Sequence, residues 1–294
     1  MAYPIVSAPY GLKPVNLIGG QVFAGSTRSL PIQYGYNTNI FYGDFVGLST
    51  GTIQRIVVTT GASTTTGGAG CGMVGIFLGC SYTNPLTKQK TFSQYWPAGT
   101  LAGDAQAIVT DDPDTVFKVT AVASSGSSTI TSWSTAFLGQ NAQGSNLAGS
   151  TTTGNSSNAG IASTSVSASN TGYPLRLVGL VSDTSSSTTG TNSGSAVSGT
   201  TITLASAITN FPAGYTSLPV GTEVGYVASN GQYAYSGSYV ASAYTSGTSV
   251  TINVAPGGSV ANIPANATLV FTCYPEALVK INFGNHAYYS NAPL

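Results

Sequence analysis

Short β-branched or apolar runs, each closed by Gly, Pro or Asn within a few residues, set the limits on what this chain can become. Gln54–Thr59, Val74–Thr83, Pro174–Val181 and Ala277–Phe283 are runs of this kind. Each is too short for a buried helix and carries residues that pack well on a pleated surface. No stretch has apolar residues at helical spacing with capping residues at its ends, so at most one or two short helices are expected. Many short strands separated by Gly/Pro turns predict an all-β chain built from barrels or sandwiches.

A Ser/Thr/Gly-rich chain must also be weighed against disorder. Disordered segments combine low hydrophobicity with high net charge, whereas this chain is 41% hydrophobic with net charge zero, 17 Tyr and 10 Phe. It therefore reads as folded, with hydroxyl groups covering the surface where charges usually do. Charged residues make up 5% of the 294 residues, against about 25% in ordinary soluble proteins. Such a surface releases few counterions, which argues against nucleic acid as a main partner. It also resists association weakly, which suits a protein fixed in a larger assembly.

The charges are unevenly placed. Seven of the sixteen lie between Val74 and Val119: Lys88, Lys90, Asp104, Asp111, Asp112, Asp114 and Lys118. From Val119 to Leu175 there are none, and from there to Tyr274 only Arg176, Asp183 and Glu223. This shift places a domain boundary near residue 122. The expected organisation is an extended N-terminal arm over 1–24 and an N-terminal β-barrel or sandwich-like domain over 25–122. A Ser/Thr/Gly-rich second β domain over 123–183 plus 269–294 follows, with a small β subdomain inserted at 184–268. In the arm, Pro4, Pro9 and Pro14 forbid a regular helix, and Gly19-Gly20 marks a turn. Gly61–Gly70 reads as a loop, and the Asn/Ser cluster in 140–170 as stacked turns or an ordered loop. Pro174–Val181 finds its natural continuation in Ala277–Phe283. Within 184–268, Gly199–Ala205 leading to Leu218–Tyr226 resembles Gly247–Asn253 leading to Ile263–Phe271, which suggests two β-units of one plan.

Motifs for chemistry are weak. Gly47-Leu-Ser-Thr-Gly51 fits a nucleophile elbow, but a strand follows where a helix is required, so it reads as a hairpin turn. Gly70-Cys-Gly-Met-Val-Gly75 fits a dinucleotide fingerprint, yet another apolar strand follows it. The single His286 has no partner motif, so a structural role is the stronger reading. Asp111, Asp112 and Asp114 could hold a cation, but Asp-Asp-Pro-Asp is a turn signal in its own right. Cys71, Cys80 and Cys273 lack metal-ligand spacing and read as lone buried thiols. The Asn155 and Asn266 sequons carry no weight without a secretory signal, and the N-terminus lacks the features of one. No catalytic residue, cofactor or metal ligand is expected, and no run is long enough to span a membrane.

Several stretches resemble a family of virion structural proteins of tailed bacteriophages, the capsid decoration, cement or head-stabilisation proteins. They are Pro9–Val15, Gly25–Arg28 with Pro31-Ile32, Asn39–Asp44, Gly75–Thr83, Lys90–Pro97, Asp111–Asp114, and Leu278–Asn282 with Asn285-His286. The likeness covers residues 1 to about 120 well and 140–181 loosely, and 184–268 departs from it. The resemblance implies a non-enzymatic protein, often a homotrimer, on the outside of an icosahedral head. It would be assembled in the bacterial cytoplasm and bridge subunits of the major capsid protein. On that reading the contact residues are Tyr3, Ile5, Val6, Tyr10 and Lys13 of the arm, with Arg28, Tyr95 and Trp96. No nucleic acid or membrane is involved. The rival reading is a tail-fibre or adhesin-like protein that binds glycans or a host surface. Tyr226, Tyr233, Tyr235, Tyr239 and Tyr244 would then be stacking platforms, although packing inside a sandwich is the commoner role for such residues.

Overall fold

The computed structural model describes residues 6, 9–60, 62–65, 73–122, 133, 135–144, 148–156, 161–162, 166, 173–181, 184, 188–194, 196–197, 199–211, 215–227, 233–253, 263–271, 274–282 and 286. The fold is all-β, with one 3₁₀ turn at Thr135–Phe137 as the sole helical element among them. The chain divides into two compact units. One holds residues 9–120, 135–179 and 277–294; the other holds 1–8, 121–134 and 180–276. The segments 135–179 and 277–294, expected to build a second domain, thus lie in one unit with 9–120. The segment expected as an insertion, 184–268, lies in the other.

In the first unit the strands are β1 (Lys13–Leu17), β2 (Arg28–Pro31), β3 (Ile40–Phe41), β4 (Phe45–Ser49), β5 (Thr52–Thr60), β6 (Ala62–Thr65) and β7 (Met73–Thr83). They continue with β8 (Lys90–Ser93), β9 (Tyr95–Trp96), β10 (Gln106–Thr110), β11 (Thr115–Val122), β12 (Asn141–Ala142), β13 (Ile161–Ala162) and β14 (Leu175–Leu180). The second unit contributes β15 (Thr189–Thr191), β16 (Thr201–Thr203), β17 (Glu223–Val227), β18 (Tyr233–Val240), β19 (Ser249–Asn253) and β20 (Thr268–Val270). Last comes β21 (Glu276–Ile281).

β7 is the centre of a seven-stranded sheet ordered β2-β10-β7-β4-β5-β6, with β8 added to the far half of β7. Its residues are buried on both faces, which explains a nearly continuous apolar sequence instead of an alternating one. Gly75 is required here: a Cβ would stand 2.1 Å from the Thr110 carbonyl oxygen. The core on β7 gathers Val46, Ile53, Val74, Phe77, Tyr82, Trp96 and Val109. Gly47–Gly51 joins β4 to β5 with Thr50 and Gly51 both at positive φ, and Ser49 pairs with Thr52. The nucleophile-elbow pattern is therefore a hairpin. Residues 62–65, expected as loop, instead form β6 against β5. Thr is β-branched and fits a strand as readily as a turn.

The other large sheet of this unit runs β1-β11-β21-β14-β12, with β13 on β11. β14 and β21 are neighbours, as the two apolar runs suggested. Asn282 fastens this region, its Nδ2 donating to Tyr173 O (2.7 Å) and Asn141 Oδ1 (3.1 Å). Part of the expected arm is thus a strand: Lys13–Leu17 pairs antiparallel with β11 and ends at the Gly19-Gly20 turn.

In the second unit the sheet runs β15-β20-β17-β18-β19-β16, with antiparallel pairs throughout the described ladders. The ends also meet. Asn192 bridges Leu204, Ser193 N–H donates to Thr203 O (2.8 Å) and Ala205 N–H to Thr191 O (2.8 Å). These bonds close the sheet into a six-stranded barrel around Ile202, Leu204, Leu218, Val224, Val250, Ile252, Leu269 and Phe271.

The barrel is a duplication. The bond Leu204 N–H to Thr248 O is matched by Ile252 N–H to Thr200 O, both 2.8 Å. Ser193 N–H to Thr203 O is matched by Ala241 N–H to Thr251 O, both 2.8 Å. Thr222 N–H to Pro219 O is matched by Ala267 N–H to Pro264 O, both 3.3 Å. The matched turns carry Gly221 (φ 87°) and Asn266 (φ 58°), the two residue types that enter left-handed backbone most readily. Matched residues face each other at Ile202↔Val250 and Gly225↔Val270, so a pseudo-twofold axis relates β15-β16-β17 to β18-β19-β20. The weak internal likeness in the sequence therefore reflects interleaved halves, each completing the other's sheet.

Candidate functional site

Four ion pairs join charges of the first unit: Arg28–Asp111, Arg55–Asp44, Lys90–Asp104 and Lys280–Asp114. Asp44 is buried and accepts from Phe41 N–H (2.9 Å), from the Ser156 hydroxyl and from Arg55 Nε (3.0 Å). Burial raises its carboxyl pKa, and the Arg55 charge and the bonds from Ser156 and Phe41 offset that only in part. Through Ser156 this latch ties the 148–156 loop to the sheet, beside the bonds Tyr42 N–H to Gly154 O (3.0 Å) and Ser156 N–H to Tyr42 O (2.9 Å). The acidic cluster is dispersed among separate partners. Asp111 pairs with Arg28 Nε (2.9 Å), Asp112 accepts from Asp114 N–H (2.9 Å), and Asp114 lies 3.5 Å from Lys280 Nζ. The turn reading of Asp-Asp-Pro-Asp describes this geometry.

His286 is fully buried, and its Nε2–H donates to the Asp111 carbonyl (3.2 Å). Burial lowers its pKa against the pull of the Asp111 and Val74 backbone and of the neighbouring carboxylates. Its place next to Met73, with which it forms a bridge, is that of a pin between the C-terminal segment and β7. Cys80 is buried, its thiol pushed up to about 12 by desolvation, so it is inert at neutral pH. Cys71 and Cys273 lie outside the described residues.

The expected contact residues fall in different places. Tyr3 and Ile5 lie outside the described residues. Val6 is half-buried and its carbonyl accepts from Tyr274 N–H (3.2 Å). Tyr10 is buried, with Lys13 Nζ 4.1 Å from its ring centroid, so its ring forms part of the fold. Arg28 is exposed but engaged with Asp111. Tyr95 is half-buried and stacks on Phe41 at 5.8 Å. Trp96 has no exposed surface; its Nε1–H donates to Tyr36 O (3.1 Å) and its ring meets Tyr82 edge-on at 5.4 Å. In this fold Trp96 is a core residue and offers nothing to a partner.

The apolar surface lies on the hairpin joining β7 to β8. Leu86 is 89% exposed at its tip and Phe92 77% exposed on β8. The hairpin is held firmly. Asn84 Oδ1 accepts from Leu86 N–H (2.9 Å), and Lys88 takes a left-handed conformation to close the turn. Asp104 accepts from Thr83 N–H (2.9 Å), Thr83 Oγ1 (2.7 Å) and Lys90 Nζ (2.9 Å). The Thr83 amide, then Lys90, hold the Asp104 carboxyl well below the usual carboxylate range. Two large apolar side chains thus stand in water on a braced support, the arrangement that loses least entropy when a partner covers them. Sequence parity alone places Phe92 and Trp96 on one face. The bend at Gln94 between β8 and β9 breaks that phase, turning Phe92 out and Trp96 in. Apolar side chains are also exposed at Val15, Ile18 and Val22 around the end of β1, and at Tyr34 and Leu101.

Comparison with family models, with curated proteins and with solved structures gave no match.

Proposed function

We propose that this chain is a non-enzymatic structural protein of a tailed-phage virion. It decorates the outside of the icosahedral head and bridges subunits of the major capsid protein, as a homotrimer. The resemblance of the first 120 residues to decoration proteins supplies the setting. The observation that carries the reading is the β7–β8 hairpin, braced by Asp104 and Lys90, with Leu86 and Phe92 exposed on it. Exposed apolar anchors on a rigid support favour protein contact over chemistry. Each contact need contribute only modestly, because a multivalent particle amplifies weak sites.

Stoichiometry tests this. Quantitative mass spectrometry of purified particles should find hundreds of copies per particle, in fixed ratio to the major capsid protein. A few to tens of copies would overturn the head assignment in favour of a tail fibre or adhesin.

A further inference from the structure

The halves of the duplicated barrel match in backbone but differ in filling. Tyr244 and Val197 hold matched places: Tyr244 N–H donates to Leu218 O (3.0 Å) and Val197 N–H to Ile263 O (3.1 Å), Leu218 and Ile263 being counterparts. On its side Tyr244 is buried, accepts from Ile208 N–H (2.9 Å) and donates to Gly247 O (2.6 Å), with Phe211 packed against it. Val197 lacks the phenol ring. On its side lies a pocket of 310 Å³ lined by Asn192, Ser193, Ala196, Val197, Thr201 and Thr203, with Gly199, the counterpart of Gly247, on its wall.

We propose that this pocket binds one ring of a neutral carbohydrate. Its volume stands at the small end of ligand pockets, about 300–1,000 Å³, and suits a single ring. Its lining offers the Ser193, Thr201 and Thr203 hydroxyls, which both donate and accept and so match sugar hydroxyls. The Val197 side chain supplies an apolar contact for a sugar's C–H face. None of the described lining residues is charged, and Glu223 is the one Asp, Glu, Lys, Arg or His between residues 188 and 271, so an anion or cation finds no counter-charge. A wholly apolar ligand would strip water from these polar groups without replacing their hydrogen bonds. The inference goes beyond the structural role on the phage head and does not depend on it.

The test is a ¹⁵N–¹H NMR titration of the full chain with the methyl glycosides of glucose, galactose, mannose and N-acetylglucosamine, and with phenol as control. At least one glycoside should shift the amides of Ser193, Gly199 and Thr201 saturably, with a dissociation constant on the order of millimolar. Val197→Tyr, which puts a phenol ring on a residue lining the pocket, should abolish the shifts. Thr201→Ala, a change at an exposed side chain, should weaken binding about 2- to 10-fold by loss of a hydrogen bond. If Val197→Tyr does not fold, Thr201→Ala decides. Absence of shifts from all four glycosides at about 100 mM, equal binding by Thr201→Ala, persistence in folded Val197→Tyr, or binding of phenol alone would each overturn the proposal.

Discussion

The two units share a composition poor in charge and rich in hydroxyls, yet hold themselves together differently. The first uses long-range polar fasteners. Asp44–Arg55–Ser156, Arg28–Asp111, the buried His286 and the Asn282 amide each join segments far apart in sequence. The second carries Glu223 as its one residue charged at neutral pH between 188 and 271 and closes by repeating a turn and a strand pair about a pseudo-twofold axis. Duplication supplies complementary edges without ion pairs, because matched halves present matched donors and acceptors. The unit with irregular connections lacks that symmetry, and specific polar pairs fix where its segments belong. This contrast predicts that single-site damage acts differently in the two.

The largest effect is expected from Arg55→Met. It leaves the Asp44 carboxylate buried without its charge partner, which should destabilise the first unit by about 3–5 kcal/mol. Denaturant unfolding followed by hydrogen exchange should show the loss in β4 and β5, with barrel amides unchanged. Comparable protection in both units would remove the distinction drawn above.

Next come Leu218→Ala and Ile263→Ala, counterparts in the barrel and both fully buried. Each should cost about 2–5 kcal/mol, and the two values should be similar. A strongly unequal pair would break the claim that the halves contribute alike.

His286 and Glu223 respond to acid in opposite directions. His286 has a folded pKa below its ordinary 6.5, so its share of stability is present above 6.5 and is lost as pH falls through the folded value. The loss cannot exceed about 1.4 kcal/mol per pH unit for one proton. Glu223 has a folded pKa above 4.5, raised by burial. Its contribution is fully present below 4.5 and lost as pH rises through the folded value, so mild acid favours the barrel. Hydrogen exchange between pH 7 and 5 measures both, and His286→Gln should flatten the response of the first unit. The smallest effect is at the matched turns: Asn266→Ala, forced to positive φ, should cost about 1–2 kcal/mol and Asn266→Gly little, as read by thermal melting.

Much of the fold is legible in the sequence, for stated reasons. Short β-branched runs with Gly/Pro punctuation define the strands, the pairing of Pro174–Val181 with Ala277–Phe283 follows from their shared apolar character, and the 199–226 and 247–271 likeness marks the duplication. Interleaving is invisible, because sequence similarity does not say which strand edges meet. The exposed apolar surface is harder still. Trp96 and Phe92 have the same parity, and only the bend at Gln94 decides which faces water. Leu86 follows an Asn-Pro turn that signals a tip, but the bracing by Asp104 across 21 residues has no local signature. The pocket beside Val197 depends on comparing Val197 with Tyr244, a correspondence that hydrogen bonds define.

The central claim is adhesion through the braced hairpin, and co-sedimentation with undecorated phage heads tests it most directly. Wild-type protein should bind saturably at hundreds of copies per head, and Leu86→Asp/Phe92→Asp, changed only at exposed side chains, should fold normally yet lose most of that binding. No binding by the wild type, or undiminished binding by the double variant, would contradict the account.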